Sequence, residues 1–379
     1  MAKISTVSAF KLNSAKKTTW IFGAGASTAE PYKVPMQSKV LEHFFTMSVP
    51  GRAAFKDEFN RLRDEVRMLC ERIQPGIDPQ DAILEEVFSA YEIESRSTYS
   101  SFDQKKIAIE AINKLRKALR YATQAYGNGQ AAKWRPHNRN NKPAPYAELL
   151  EKLFPVGCSV DEIKSHTLVT MNYDINLDRC IINMLNPSQG ELYLDYGIDF
   201  GDFRLPNSFT RPKNKSVLLL RLHGGLNWLR CKACQAMFTT IDKHARVIDT
   251  DLCRLCKSPT LDQVIVHPSY TREYTDPILN IIWGRLYEEL VSSDRWVFIG
   301  YSLPTADVHL REVLRHSHRV RTERKKKTRV VWVGKKVASS DPNWDQLAQN
   351  YYSVFKESVK AWKATPGGFA DFVRSIQTS

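Results

Sequence analysis

Residues 18–27 read TTWIFGAGAS, a β-rich apolar run that stops at a glycine-containing turn. Residues 34–45 follow with helical character, so the order is strand, glycine turn and helix. Gly23 and Gly25 let the backbone approach a ligand closely, and the start of the next helix can offer N–H groups to a pyrophosphate. The GxGxxG pattern is incomplete because Thr28 stands at its third glycine. A turn that only joins strand to helix therefore remains an alternative.

Further apolar runs predict buried strands that alternate with helices. They lie at 167–171, 216–222, 296–299 and 330–333. Strands of near-continuous apolar character are typical of a parallel sheet that helices cover on both faces. The sequence thus predicts an α/β fold with a Rossmann-like parallel sheet.

Between the first strand and the rest of this sheet, the hydrophobic spacing becomes helical. We therefore predict a helical insertion at 51–145, in which the polar, turn-rich stretch 126–145 is a loop that is either a lid or merely mobile. The Rossmann-like domain is predicted to comprise 18–50, 146–230 and 262–339. Residues 1–17 are predicted to form an N-terminal arm, and 340–379 a C-terminal helical tail that, like the insertion, offers an assembly surface.

The composition of the 379 residues, 42% hydrophobic and 25% charged, is that of a globular protein and argues against disorder. A formal net charge of +14 indicates an acidic partner or a phosphate-bearing ligand. The sequence contains no apolar run long enough to span a membrane, and residues 1–17 lack the apolar block of a secretory signal. We therefore expect a cytoplasmic protein without a membrane partner.

Four of the seven cysteines form two CxxC pairs separated by 18 residues. The pairs consist of Cys231, Cys234, Cys253 and Cys256. Two such pairs can place four thiolates tetrahedrally around Zn²⁺, and without an open position the site would be structural. We predict a zinc ribbon at 231–261 whose folding depends on the metal; four reduced cysteines without metal are the alternative. The remaining cysteines are expected to be plain buried thiols.

Three polar clusters follow predicted parallel strands. They are Asn172-Tyr173-Asp174, His223-Gly224-Gly225 and Gly300-Tyr301-Ser302. Open α/β sheets bind ligands at the carboxyl ends of their strands, so we expect the clusters to converge on one crevice. A histidine beside two glycines is accessible and suited to accept a hydroxyl proton. Taken singly, capping roles for Asn172 or Asp174 and a structural role for His223 remain open.

The order of these motifs resembles the sirtuins, in particular their divergent bacterial sirtuin-like branch. The resemblance rests on GAGAS at 23–27, TMNYD at 170–174, LHGG at 222–225, the cysteine pattern at 231–256 and IGYSLPTAD at 299–307. It implies a Rossmann-like NAD⁺ domain with a small module of zinc ribbon and helical insertion. It also implies that NAD⁺ is the substrate.

The same resemblance implies roles for individual residues. The phosphates and ribose would be cradled by Gly23, Ala24, Gly25 and Ser27. The adenosine half would lie by Gly300 and Ser302. Asn172 would hold the nicotinamide ribose and a water near its anomeric carbon, Asp174 would contact the carboxamide, and His223 would be the general base. The chemistry implied is cleavage of the N-glycosidic bond.

The sequence departs from protein-deacylating sirtuins at the positions that bind peptide. Residues 33–38 lack the Phe and Arg of GIPxFR, Met171 replaces the Gln of TQNID, and residues 266–269 replace the FGE strand with VHPS. A proline there removes a ladder donor. The resemblance therefore implies an NAD⁺ glycohydrolase in bacterial antiviral defence, oligomeric and activated by a HerA-type ATPase or another trigger.

Half of the positive excess lies at 311–329, which carries nine Lys or Arg and two Glu. We interpret this stretch as a solvated loop, with a nucleic-acid contact or a subunit interface as alternatives.

Two other functions also remain open for the chain. One is an NAD-dependent protein deacylase, and the other is a non-catalytic, zinc-containing scaffold that senses nucleotide or binds nucleic acid.

Overall fold

The computed structural model describes residues 5–7, 10–13, 15–29, 32–49, 53–130, 144–184, 193–199, 215–239, 252–253, 255–271, 274, 276–335, 342–362 and 367–377. The strands are β1 (Ser5–Val7), β2 (Phe10–Lys11), β3 (Thr18–Phe22), β4 (His166–Thr170), β5 (Tyr193–Asp195), β6 (Ser216–Arg221), β7 (Gly224–Cys231), β8 (Met237–Thr239), β9 (Leu261–Ile265), β10 (Arg295–Ile299), β11 (Arg329–Val333), β12 (Val359–Trp362) and β13 (Ile376–Gln377). The helices are α1 (Ala24–Ser27), α2 (Val40–Thr46), α3 (Ala53–Ile73), α4 (Leu84–Arg96), α5 (Phe102–Gln130), α6 (Pro145–Leu153), α7 (Val160–Lys164), α8 (Asn176–Met184), α9 (Pro277–Ser292), α10 (Val308–Glu323), α11 (Pro342–Phe355) and α12 (Phe369–Ser375).

Eight strands form one parallel sheet in the order β1-β12-β11-β10-β3-β4-β6-β5. Every residue of β3, β4 and β10 is buried, which explains why these strands lack the alternation of apolar and polar residues that half-buried strands show. Trp20, Trp296 and Trp332 lie fully within this core. The predicted α/β class is therefore confirmed.

The path of the chain through the sheet reverses at β3. From β3 the chain continues to β4 and β6 on one side, and later returns to β10, β11 and β12 on the other. Doubly wound sheets bind ligands outside the carboxyl ends of the strands at this kind of switch point. The sheet therefore places its natural crevice where β3 and β10 end.

Helices α3, α4 and α5 form a layer with a hydrophobic core of its own, which includes Val66, Val87 and Leu115. This core also takes in Tyr173 and Leu226, from the segments that follow β4 and begin β7. The predicted bounds of the loop at 126–145 are wrong at both ends, because α5 continues to Gln130 and α6 begins at Pro145. The rest of that loop lies outside the described residues.

The two ends of the chain belong to the sheet layer, which corrects the predicted N-terminal arm. The tail predicted at 340–379 contains the helices α11 and α12 but also the strands β12 and β13. Strand β1 pairs with β12 at the edge of the main sheet, and β2 pairs with β13. Phe10 is fully buried and packs its ring against those of Trp20 and Phe372. Strands of two to four residues carry too little pattern to be detected in a sequence.

The basic stretch 311–329 is not a loop, because α10 extends through most of it. Leu310, Leu314 and Arg321 face the core at helical spacing. The Arg311 guanidinium donates to the Leu303 carbonyl over 2.9 Å, and that of Arg321 donates to the Val291 carbonyl over 2.7 Å. Two of the nine basic side chains therefore have internal structural roles.

Among the described helices, none is both long and apolar enough to cross a membrane.

Candidate functional site

The polar clusters predicted from the sequence meet at one edge of the main sheet. Gly23 follows β3, Asn172 follows β4, His223 follows β6 and Gly300 follows β10. These four strands are parallel neighbours in register, with Phe22 paired to both Thr170 and Ile299, so their carboxyl ends coincide. The site therefore lies at the switch point of the sheet.

The glycines of the site allow two loops to touch. The Gly25 N–H donates to the Gly300 carbonyl over 2.8 Å. A Cβ at Gly23 would lie 2.6 Å from the Tyr301 Cα, and one at Gly300, whose φ is +61°, would lie 2.1 Å from the Ala26 nitrogen. The glycines are thus required by backbone packing, independently of any ligand.

Two of the predicted ligand contacts lie at the outer side of these loops. Ala24 is exposed, as is Ser302, whose carbonyl accepts a hydrogen bond of 3.1 Å from Asn350. Both residues are therefore accessible from solvent. Ser27, by contrast, is buried and its hydroxyl lies 3.0 Å from that of Tyr146.

Asn172 is buried beside the glycine turn with both hydrogens of its amide in use. Its Nδ2 donates to the Gly23 carbonyl and to the Ser27 hydroxyl, each over 3.0 Å. Its Oδ1 has no hydrogen-bond partner among the described residues. Because an amide oxygen has two acceptor positions, this atom is oriented to accept from a ligand hydroxyl or a water.

Asp174 is buried two residues further on, at the start of α8. Burial raises the pKa of its carboxyl group above the usual range, against the opposing effects of the Asn176 N–H, the Ser27 side chain and Arg221. The side chain of Asn176 is fully buried, and neither of its amide atoms has a hydrogen-bond partner in the described part of the chain. Buried polar groups are rarely left unpaired, so Asn176 fits a site that receives a polar ligand.

His223 is held in one orientation and one tautomer. Its Nδ1 lies 3.1 Å from the Met171 carbonyl. A carbonyl only accepts, so this hydrogen-bond network assigns the proton to Nδ1 and leaves the lone pair on Nε2. Nε2 lies 3.2 Å from the Tyr274 hydroxyl, and the imidazole stacks on the Tyr173 ring. The arrangement suits Nε2 to accept a proton.

Arg221, which the sequence did not single out, connects the segments that follow β4 and β6. Its Nη2 donates to the carbonyls of residues 172, 173 and 174 over 3.0 to 3.1 Å, and its Nε donates to the Gly224 carbonyl over 3.1 Å. Its Nη1 pairs with the carboxylate of Asp178, and both side chains are fully buried. The Asp178 carboxylate also accepts a hydrogen bond of 2.7 Å from the Tyr196 hydroxyl. A buried arginine two residues before His223 was the available signal, because it requires a buried acidic partner.

The four cysteines of the predicted zinc ribbon come together at the end of a three-stranded antiparallel sheet of β8, β7 and β9. All four sulfurs lie within 4.8 Å of one another, and the closer pairs, Cys231–Cys256 and Cys234–Cys253, are 3.5 and 3.6 Å apart. Zinc–sulfur bonds of about 2.3 Å in a tetrahedron give sulfur–sulfur distances of about 3.8 Å. The cluster therefore fits a zinc ion.

The backbone around both CxxC pairs has the same turn. The Gln235 N–H donates to the Cys231 carbonyl and the Lys257 N–H to the Cys253 carbonyl, each over 2.8 Å. Gln235 and Lys257 both have positive φ, at 60° and 61°. Two equivalent turns that aim their thiols at one point are what a four-thiolate site requires.

Removing the metal is expected to unfold this module. Structural zinc contributes on the order of 10 kcal/mol to the folding of small zinc modules. The protein as purified should contain one zinc per chain by elemental analysis, and a chelator should increase amide hydrogen exchange in 224–239 and 255–265. The Cys256→Ser variant should lose zinc, whereas Cys158→Ser, at a buried thiol outside the cluster, should retain it. Full zinc content in Cys256→Ser would argue against the site.

Fold and site together define a doubly wound α/β protein with a polar site at its switch point and a four-cysteine metal module. No known family model and no curated protein matches the chain. Similar solved structures include one described as "Structural Basis for the Mechanism and Regulation of Sir2 Enzymes", 14% identical, covering 96% of this chain and 91% of that chain with a TM-score of 0.38. Another, "The Structural basis of Sirtuin Substrate Affinity", is 14% identical, covers 94% and 91%, and has a TM-score of 0.41. Similarity at this level assigns no activity to the chain.

Proposed function

We propose that the protein is an NAD⁺ glycohydrolase of the sirtuin-like class, which cleaves NAD⁺ to nicotinamide and ADP-ribose. The observation that carries the proposal is the placement of Asn172 and His223. An unpartnered amide oxygen and an imidazole with a fixed lone pair follow neighbouring strands, beside a glycine turn at the switch point. Such a site offers a place for a dinucleotide, a hydroxyl acceptor and a base.

In this proposal the residues at the glycine turn hold the dinucleotide, and Asn172 orients the reacting centre. The Asn172 Oδ1 accepts a hydrogen bond from the attacking water near the anomeric carbon. The water oxygen bonds to that carbon as the glycosidic bond breaks, and nicotinamide leaves with the bonding electron pair. His223 receives the proton of the water, directly or through a relay, and Asp174 contacts the carboxamide of the leaving group.

The segment after β9 favours hydrolysis over peptide deacylation. Strand β9 ends at Ile265, and the next N–H, that of Val266, donates to the His223 carbonyl over 2.9 Å. The Tyr270 N–H donates to the Ser89 hydroxyl over 2.8 Å, and the side chains of His267 and Ser269 bond to Glu92. The backbone N–H groups of Val266 and Tyr270 are thus already paired within the chain, and Pro268 has none to offer an added peptide strand.

The proposed setting is the cytoplasm of a bacterium under phage attack, where NAD⁺ depletion serves antiviral defence. A homo-oligomer and an activating partner, of which a HerA-type ATPase is the first candidate, belong to the same proposal. It rests on the resemblance of the five motifs rather than on the geometry. The exposed basic residues of 311–329 are the surface through which we would seek nucleic acid or a subunit contact.

The proposal is tested by incubating the purified protein with NAD⁺, alone and with the ATPase, and measuring nicotinamide by chromatography. We expect release without any peptide, and no increase when an acylated lysine peptide is added. Release that requires the peptide would indicate a deacylase instead. Tight, salt-sensitive DNA binding without turnover under either condition would indicate a non-catalytic scaffold.

A further inference from the structure

We infer that Tyr274 is a further catalytic residue, whose hydroxyl relays the substrate proton to His223. This inference rests on the proposed function. The Tyr274 Oη lies 3.2 Å from the His223 Nε2, and the Met171 carbonyl fixes the proton of this histidine on Nδ1. Nε2 therefore accepts the hydrogen bond and Tyr274 donates it. The lone pair that a general base needs is already engaged by a tyrosine hydroxyl.

Burial shows why a proton would pass through Tyr274. His223 is only 5% exposed, whereas Tyr274 is half-buried. The tyrosine hydroxyl thus lies on Nε2 while part of its own side chain remains open to solvent. A phenolic oxygen can accept one hydrogen bond while donating another. A water or ribose hydroxyl bound to Oη would therefore be connected to the base without displacing the tyrosine.

Aromatic contacts hold the Tyr274 ring in place. It stacks on His309 with ring centroids 4.6 Å apart, and the ring of Trp283 meets it edge-on at 5.0 Å. The centroid of the His223 imidazole lies 6.2 Å from that of the Tyr274 ring, with an interplanar angle of 28°. Aromatic pairs of this kind stabilise one another, so these contacts anchor the ring. A proton relay requires a hydroxyl that is held in a fixed position, and these ring contacts hold the Tyr274 hydroxyl beside Nε2.

The relay moves one proton from the attacking water to His223 through Tyr274. The attacking water gives one proton to the Tyr274 oxygen as Tyr274 gives its own proton to the His223 Nε2. The water oxygen bonds to the anomeric carbon, and nicotinamide leaves with the electrons of the glycosidic bond. Tyr274 is neutral before and after the step, His223 becomes an imidazolium, and that proton returns to solvent before the next turnover.

The test is the Tyr274→Phe variant, which keeps the ring and its packing but removes the hydroxyl. Relays and general bases contribute about 10²–10⁴-fold, so we expect kcat for nicotinamide release to fall by at least about 10²-fold with KM little changed. The matched control is Tyr270→Phe, at a tyrosine whose side chain is 61% exposed, and it should keep the wild-type rate. Thermal melting should show both variants folded.

A second measurement follows the contact itself without turnover. Diethyl pyrocarbonate modifies unprotonated imidazole nitrogen, so removing the hydroxyl from Nε2 should raise the rate of His223 modification several-fold by mass spectrometry. Unchanged modification, or a kcat of Tyr274→Phe at or above wild type, would overturn the relay alone. If wild-type protein released no nicotinamide under any condition, the proposed function and the relay would both be overturned.

Discussion

The His223→Ala variant is expected to release nicotinamide at least about 10²-fold more slowly than wild type, because it removes the only group in the site that we assign as base. The imidazole is held between the Met171 carbonyl and the Tyr274 hydroxyl, which fixes the position of Nε2. Chromatographic measurement at saturating NAD⁺ would report the loss. The matched control is His316→Ala, at an exposed histidine on α10, and it should retain the wild-type rate.

Asn172→Ala should cause a loss of similar size for a different reason. It removes the amide oxygen that we assign to the attacking water, together with the bonds to Gly23 and Ser27. Each variant should be checked by circular dichroism, since only a folded protein tests a catalytic role. Wild-type release by folded forms of both variants would show that the assigned residues do not carry the reaction.

The second large effect is expected on stability. Replacing Arg221 by methionine should lower the free energy of unfolding by about 3–5 kcal/mol, because the Asp178 carboxylate would remain buried without its charged partner. Four loop carbonyls would lose their donor as well. Urea titration followed by fluorescence would measure the change, since the chain contains eight tryptophans.

Two companion variants make this prediction specific. Arg221→Met combined with Asp178→Asn should recover part of the loss, because no unpaired charge is then buried. Arg319→Met removes an exposed arginine 3.9 Å from Glu323 and should change stability by less than about 1 kcal/mol. If Arg221→Met lowered the free energy of unfolding as little as Arg319→Met, the role of Arg221 in holding together the segments after β4 and β6 would be contradicted.

The parts of the fold that the sequence predicts are those in which each segment carries its own signal. Strand β3 is buried throughout because both faces of the sheet are covered. Its end is marked by glycines that the contact with Gly300 requires. The cysteine pairs likewise encode their turns locally. The polar clusters could be assigned to one edge because parallel strands in register end together.

The rest depended on contacts between distant residues. The role of Arg221 becomes visible only in the folded chain, where the carbonyls of 172–174 lie beside its guanidinium. The role of Tyr274 likewise depends on its contact with His223, 51 residues away in the sequence. Charge was misleading at 311–329, where Leu310 and Leu314 determine the buried face of a helix. The helix predicted at 34–45 becomes an α-helix only at Val40, as α2, after a 3₁₀ turn at Gln37–Lys39. Val34 precedes Pro35, and the residue before a proline favours extended backbone.

Product analysis in water labelled with heavy oxygen is the decisive test of NAD⁺ hydrolysis by this protein. The protein, with its activating partner where one is required, should convert NAD⁺ to equal amounts of nicotinamide and ADP-ribose. Mass spectrometry should find one labelled oxygen in the ADP-ribose, at the anomeric carbon, without any acylated peptide present. Failure to release nicotinamide, or the formation of acyl-ADP-ribose only when an acylated peptide is supplied, would contradict the assignment of an NAD⁺ glycohydrolase.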